Sequence, residues 1–68
     1  MGDTEIKDKI LKLLKKNKDW MSTNRISVQT AINFYRVERI LYKLFEENKI
    51  EKDEKPDTIY WKKANQGY

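Results

Sequence analysis

The stretch Asn33-Phe-Tyr-Arg-Val-Glu-Arg-Ile-Leu-Tyr-Lys-Leu44 decides the fold of this chain. Four apolar residues in it recur at the i, i+3, i+4, i+7 spacing of one helix face: Val37, Ile40, Leu41 and Leu44. Asn33 is a residue type whose side-chain oxygen caps the N-terminus of a helix. The pattern predicts an amphipathic helix from Phe34 to about Asn48.

The opposite face of this helix is predicted to combine charges with aromatic rings. Its outward residues are Tyr35, Arg36, Glu38, Arg39, Tyr42 and Lys43. Charged residues on such a face are usually only solvated, but exposed aromatic rings usually need a reason. Two Arg with two Tyr on one short face therefore favour contact with a ligand.

Two further helices are predicted before this one. Apolar residues at helical spacing between Thr4 and Lys18 indicate the first, which Asp3 or Thr4 can cap. Leu11 lies off its main apolar stripe and either widens the core face or contacts another chain. Ser22, an N-cap type, opens a second helix over 23–30.

A turn over 31–33 links the second predicted helix to the third. It lacks the Gly that is common in such turns. Asn33 can serve this turn in one of two ways: it accepts the unusual backbone angles, or it only caps the helix that follows.

Strand-forming residues follow the third predicted helix. Lys49–Lys52 and Thr58–Lys63 flank the turn-forming run Asp53–Asp57, in which Pro56 breaks no ladder hydrogen bond. This pattern predicts a two-stranded hairpin. Trp20–Met21 is expected to be a short extended piece, the domain to cover 1–63, and 64–68 to be a disordered tail.

Composition excludes several classes of function. The 68 residues include 15 Lys and Arg, 11 Asp and Glu, no His and no Cys, for a net charge of +4. Without His and Cys the usual general base, thiolate nucleophile and zinc ligands are missing. So short a chain has little room for a deep cleft beside a core. We therefore expect a non-enzyme with no metal, cofactor or small-molecule ligand.

Localisation and source are indicated only by composition. No apolar run approaches the roughly 20 residues of a membrane span, and the first residues lack the basic start and apolar stretch of a secretion signal. We expect a cytoplasmic protein with no membrane contact. The Lys- and Ile-rich composition is typical of an AT-rich genome, such as that of an archaeon, a low-GC bacterium or one of their viruses.

The predicted order of elements resembles the winged helix-turn-helix family over nearly the whole chain. The segments that carry the resemblance are Ile26–Thr30, Ile32-Asn33, Val37-x-x-Ile40-Leu41-x-x-Leu44, and Lys49–Lys52 through Tyr60-Trp61-Lys62. It implies an α+β fold of three helices with a C-terminal two-stranded β-hairpin wing. It also implies that the third helix enters the major groove of double-stranded DNA.

The third helix and the wing are also similar to the Zα domains, winged helices that bind left-handed nucleic acid. The shared residues are Arg39, Ile40-Leu41-Tyr42-x-Leu44, Lys49-Ile50-x-Lys52 and Trp61-Lys62. In the Zα pattern a Tyr of the recognition helix stacks on a base and a wing Trp supports it, and Tyr42 and Trp61 match these positions. Glu38 stands where Zα domains have a phosphate-binding Asn, and Thr58-Ile59-Tyr60 replaces their prolines.

The resemblance implies a set of DNA-contacting residues on the second helix, the third helix and the wing. They are Ser22, Arg25, Asn33, Tyr35, Arg36, Arg39, Tyr42, Lys43, Lys52, Lys55, Trp61 and Lys62. At the start of the second helix, ordinary capping explains Ser22 equally well. Residues 47–68 carry five basic and five acidic groups, so a weak grip of the wing on phosphates is expected.

These observations lead to one principal functional hypothesis and two alternatives. The principal one is a small transcriptional regulator, nucleoid-associated, that binds double-stranded DNA as a homodimer, because one copy offers a small footprint. The first alternative is a protein-interaction module of transcription or replication machinery. The second is a binder of Z-form nucleic acid.

Overall fold

The computed structural model describes residues 2–64, which form three helices and three strands. The elements are α1 (Asp3–Asn17), β1 (Met21–Ser22), α2 (Thr23–Thr30), α3 (Phe34–Glu46), β2 (Ile50–Glu54) and β3 (Ile59–Lys63). The α+β class is confirmed. Of the predicted tail, Ala64 donates its backbone N–H to the Lys49 carbonyl at 3.1 Å, and 65–68 lie outside the described residues.

The sheet has three antiparallel strands in the order β1-β3-β2, not the two that the sequence predicts. Met21 pairs with Trp61 and Ser22 with Tyr60, so the predicted extended piece at 20–21 becomes a short edge strand. Two residues show no alternation that a sequence pattern could detect. β1 exists because the chain between α1 and α2 passes the free edge of β3.

The N-terminal cap predicted for α1 is wrong. Gly2 occupies the cap position with extended backbone, and no side chain caps the helix. Asp3 is already helical, and its carboxylate accepts a hydrogen bond from Lys43 Nζ at 3.0 Å. The Asp3 side chain therefore contacts α3 instead of capping α1.

The turn between α2 and α3 resolves the two alternatives for Asn33. Asn33 caps α3, since its Oδ1 accepts hydrogen bonds from the Tyr35 and Arg36 backbone N–H groups at 2.9 and 3.4 Å. Ala31 takes the left-handed conformation instead, at φ 58° and ψ 34°. In that conformation its N–H reaches the carbonyls of Ser27 and Val28 and closes α2.

Replacing Ala31 with Gly should therefore stabilise the domain. A left-handed conformation costs an L-residue roughly 1–2 kcal/mol, and the greater unfolded-state entropy of Gly offsets part of that gain. We expect the free energy of unfolding in urea to rise by about 0.5 kcal/mol. Gln29→Gly, at an ordinary helical position of α2, should instead lower it by up to about 1 kcal/mol. A loss of stability in both variants would contradict the argument.

The core lies between the helices and the inner face of the sheet. Its buried apolar residues are Ile10, Leu14, Met21, Ile26, Val37, Ile40, Leu41, Leu44, Ile50 and Trp61. Leu11 packs against this core, which favours the first of its two predicted roles. Trp20 and Phe45 lie at its edge, with 36% and 37% of their surfaces exposed.

Within residues 2–64, no helix is both long enough and apolar enough to cross a bilayer.

Candidate nucleic-acid interface

The exposed face of α3 presents an "α3 ridge" formed by Tyr35, Arg36, Arg39 and Tyr42. Tyr35 is 76% exposed and both arginines are exposed. A shallow groove at the N-terminal end of α3 is lined by Asn33, Tyr35, Arg36 and Arg39. The Asn33 cap and the four buried α3 side chains fix the helix from beneath, so these groups stand on a rigid element.

Tyr42 is held in place by a buried indole. Its ring meets the Trp61 ring edge-on, with the centroids 5.3 Å apart and the planes at 86°. Trp61 Nε1 donates to Thr23 Oγ1 at 2.7 Å, and the Thr23 hydroxyl donates to the Ile59 carbonyl at 3.3 Å. Trp61 is fully buried. It can therefore act at the predicted interface only by supporting Tyr42.

Lys52 joins the hairpin to α3. Its Nζ lies 5.2 Å from the centroid of the Tyr42 ring and 4.9 Å from that of Phe45, which are cation–π distances. The same ammonium lies 3.6 Å from Glu54 Oε1. Lys52 thus links β2 to α3. The neighbouring Glu54 carboxylate partly offsets its positive charge towards an outside partner.

The two other hairpin lysines predicted to contact DNA are compensated or point elsewhere. Lys55 Nζ lies 3.2 Å from Asp53 Oδ2 near the turn. Lys62 covers the Trp20 ring at 5.8 Å. Since neighbouring residues of a strand face opposite sides, Lys62 points away from the side on which Trp61 meets Tyr42. The structure therefore does not bring Lys62 together with the α3 ridge.

At the start of α2 the structure shows the capping role. Ser22 Oγ accepts a hydrogen bond from the Arg25 backbone N–H at 3.1 Å. Arg25 itself is exposed on α2. A phosphate contact by either residue stays a prediction.

Two carboxylates lie within or beside this surface in places that the sequence did not predict. Glu38 was expected to point outward but is half-buried on α3. Asp3 lies beside the ridge, because its Oδ2 is 3.0 Å from Lys43 Nζ. That hydrogen bond is the main reason why the pKa of Asp3 is lowered, and the charges of Lys43, Arg39 and Arg36 act in the same direction. No sequence signal links Asp3 to Lys43, since 40 residues separate them.

The ion pairs of α1 with the C-terminal part of α3 should make stability depend on pH. Lys43 lowers the pKa of Asp3, and the hydrogen bond from Lys7 at 2.7 Å lowers that of Glu47. A carboxyl whose pKa is lower in the folded chain stabilises the fold above its unfolded pKa. That contribution is lost as the pH falls through the folded pKa.

We therefore expect the free energy of unfolding to decline as the pH drops below the ordinary carboxyl values of 3.8 for Asp and 4.5 for Glu. Both groups are exposed, so added salt should weaken the effect. Chemical denaturation across pH, with Asp3→Asn and Glu47→Gln compared with the unchanged chain, measures it. An unchanged slope in both variants would show that these pairs contribute nothing.

Comparison with known proteins identifies the fold. The sequence matches no family model and has no significant match among curated proteins. The structure is similar to the Zα domain of PKZ from Carassius auratus, solved in complex with Z-DNA, with a TM-score of 0.82 and 21% identity. That likeness covers 91% of this chain and 97% of the Zα chain.

A second solved structure supports the same assignment. It comes from work on the DNA recognition and protein interaction domains of HOP2 and on their homologous DNA pairing properties. It matches with a TM-score of 0.75 and 18% identity, over 93% of this chain and 100% of that one. The chain thus has the winged helix-turn-helix fold that its sequence resemblance implies, with the β2–β3 hairpin as the wing.

Proposed function

We propose that this domain binds double-stranded DNA by placing α3 in the major groove. The observation that carries the proposal is the groove at the N-terminal end of α3, where Tyr35, Arg36 and Arg39 surround the Asn33 cap. Arg can donate two hydrogen bonds to guanine O6 and N7, and a Tyr hydroxyl can reach a phosphate. The DNA-binding winged helices with similar structures support this use of the fold.

The two arginines of the α3 ridge lack ion-pair partners in the described part of the chain, which supports their role in DNA binding. None of the five ion pairs within residues 2–64 includes Arg36 or Arg39. Both guanidinium groups therefore keep their donors for a ligand. Lys43, by contrast, must give up its contact with Asp3 before it can bind a phosphate. We assign base reading to Arg36 and Arg39 and a lesser, phosphate-binding part to Lys43.

We further propose that the protein is a small transcriptional regulator that acts as a dimer. One α3 ridge covers few base pairs, and wing lysines that already contact carboxylates add little grip. Two copies on a palindromic or repeated site would supply the missing affinity and specificity. Sedimentation that found only monomers, with and without DNA, would overturn the dimer.

Selection from a random-sequence duplex library at two salt concentrations tests DNA binding directly. Enrichment of a short motif with affinity that falls steeply as salt rises is the expected result. The spacing of enriched half-sites would also report the dimer geometry. No retention even at low salt would contradict the proposal and favour a protein-interaction module.

The contact between Tyr42 and Trp61 favours one second candidate, binding of Z-form nucleic acid. The Zα resemblance implies that a wing Trp supports a Tyr of the recognition helix, and in this structure the two rings meet edge-on. Circular dichroism of an alternating CG duplex tests it, since conversion to the left-handed form inverts the spectrum. Because the Glu38 carboxylate repels phosphates, Glu38→Asn should enhance the inversion and Tyr42→Ala should abolish it. An unchanged spectrum with both the natural chain and Glu38→Asn would exclude this candidate.

A further inference from the structure

A second basic surface lies where α1 ends beside the end of β3. This "lysine groove" is lined by Leu14, Lys15, Lys18, Lys62, Lys63 and Ala64. Four of the six residues are lysines, and none is acidic. An adjoining depression, lined by Leu11, Lys49, Lys63 and Ala64, continues the basic surface towards the start of β2.

Backbone hydrogen bonds fix the walls of the lysine groove. Lys18 ends α1 in the left-handed conformation, at φ 58°, and donates its N–H to the Leu14 carbonyl. On the other wall, Ala64 N–H bonds to the Lys49 carbonyl and holds the end of β3 against β2. The lysine side chains therefore project from two ordered pieces of backbone.

The groove lysines take part in no ion pair within residues 2–64, and unlike Lys9, Lys12 and Lys16, which are also outside the ion pairs, they surround one depression. Ion pairs within residues 2–64 engage Lys7, Lys43, Lys49, Lys52 and Lys55. None of them engages a lysine of the groove. Lys62 lies over the Trp20 ring, which leaves its positive charge without a counter-charge. The four lysines of the groove therefore repel each other, and an anion placed among them relieves that repulsion.

The lysine groove is separate from the α3 ridge. Asp3, which lies beside the ridge, is the first residue of α1, whereas Lys15 stands near its other end. At 1.5 Å per residue, these two positions are about 18 Å apart along the helix. The domain measures only 32 × 30 × 21 Å, so the two surfaces lie towards different ends of it.

We infer that the lysine groove binds the phosphate backbone of a second nucleic-acid segment while the α3 ridge holds the first, a bridging role that rests on the proposed function. Lysines act as point charges that hold phosphates without reading sequence. A membrane surface would call for exposed bulky apolar residues beside the lysines. The apolar lining residues are instead Leu14, which is fully buried, and the small Ala64, and the ring of the neighbouring Trp20 is covered by Lys62.

Residue-resolved NMR separates this inference from the proposed function. The full-length, ¹⁵N-labelled chain is titrated at low salt with a short duplex up to several equivalents. Backbone signals should shift both along α3 and at Lys15, Lys18 and 62–64. Shifts along α3 alone would overturn the groove and leave the proposed function standing. Shifts at the groove alone would overturn the proposed function and the bridging with it, and would leave the groove as a single nucleic-acid site. The absence of both sets of shifts would overturn both proposals.

A matched pair of variants tests the bridging itself. Lys15→Gln with Lys63→Gln removes two groove charges, and Lys12→Gln with Lys16→Gln removes two exposed charges of α1 outside the groove. An immobilised duplex should capture a labelled second duplex through the natural chain and the control. With the groove variant, capture should be lost at moderate salt, and the salt slope of second-duplex binding should fall by about 2.

Two outcomes would overturn the bridging. One is equal capture by the groove variant and the control. The other is binding of the groove to vesicles rich in anionic lipid, seen as shifts at its lysines, without any shift on addition of duplex. Circular dichroism of both variants checks that the fold is retained.

Discussion

Replacing both Arg36 and Arg39 with Ala should lower the affinity for duplex DNA by about two orders of magnitude. Each arginine that binds a guanine with two hydrogen bonds contributes roughly 1–3 kcal/mol of discrimination, and about 1.4 kcal/mol corresponds to a tenfold change. The effect should be larger for a selected site than for random DNA, because base contacts are lost together with charge. A fluorescence-anisotropy titration with both duplexes measures it.

Lys12→Ala with Lys16→Ala is the matched control, since it removes the same charge from exposed positions on the opposite side of α1 from its buried residues. It should weaken binding of the selected and the random duplex alike, and only slightly. Both arginines are exposed and take part in no ion pair within residues 2–64, so their removal should leave the fold intact. Equal losses in the two double variants would contradict base reading by α3.

Replacing Trp61 with Ala should cost about 3–5 kcal/mol of unfolding free energy. Trp61 is the largest fully buried side chain, and its indole N–H is satisfied by Thr23 Oγ1 at 2.7 Å. A core of this size rarely supplies more than about 3–5 kcal/mol in total. We therefore expect Trp61→Ala to be largely unfolded, with a weak, broad transition in thermal denaturation followed by circular dichroism.

A gentler variant keeps this prediction testable if Trp61→Ala does not fold. Trp61→Phe preserves an aromatic ring but removes the hydrogen bond from the indole to Thr23 Oγ1, while the Thr23 hydroxyl keeps its bond to the Ile59 carbonyl. The loss of one such hydrogen bond costs about 0.5–1.5 kcal/mol. Trp20→Ala is the control, because Trp20 is 36% exposed at the core edge and should cost clearly less than Trp61→Ala. Equal destabilisation by Trp20→Ala and Trp61→Ala would show that burial of the Trp61 indole does not dominate the stability of the fold.

Trp61 also links stability to the candidate site. Its ring is the surface against which Tyr42 rests, 5.3 Å away between centroids. Trp61→Phe should therefore loosen Tyr42 in a folded domain, which broadened Tyr42 ring signals in NMR would report. Any binding that depends on Tyr42, including that of Z-form nucleic acid, should weaken with it.

The local sequence pattern determined the helices, the hairpin and the α3 ridge. The apolar repeat of α3, the Asn33 cap and the Ser22 cap depend on neighbours within four residues, which periodicity and residue type report directly. The exposed positions of Tyr35, Arg36 and Arg39 follow from that repeat. This is why the principal predicted site residues lie together on one face.

Only the tertiary structure decided the contacts between residues far apart in the chain. The pairing of β1 with β3, the Lys43–Asp3 ion pair and the bond from Trp61 to Thr23 join residues 38 to 40 positions apart. The lysine groove likewise gathers the end of α1 and the end of β3. Such contacts depend on how helices cross and how strands align. Spacing along a single helix or strand carries no information about that geometry.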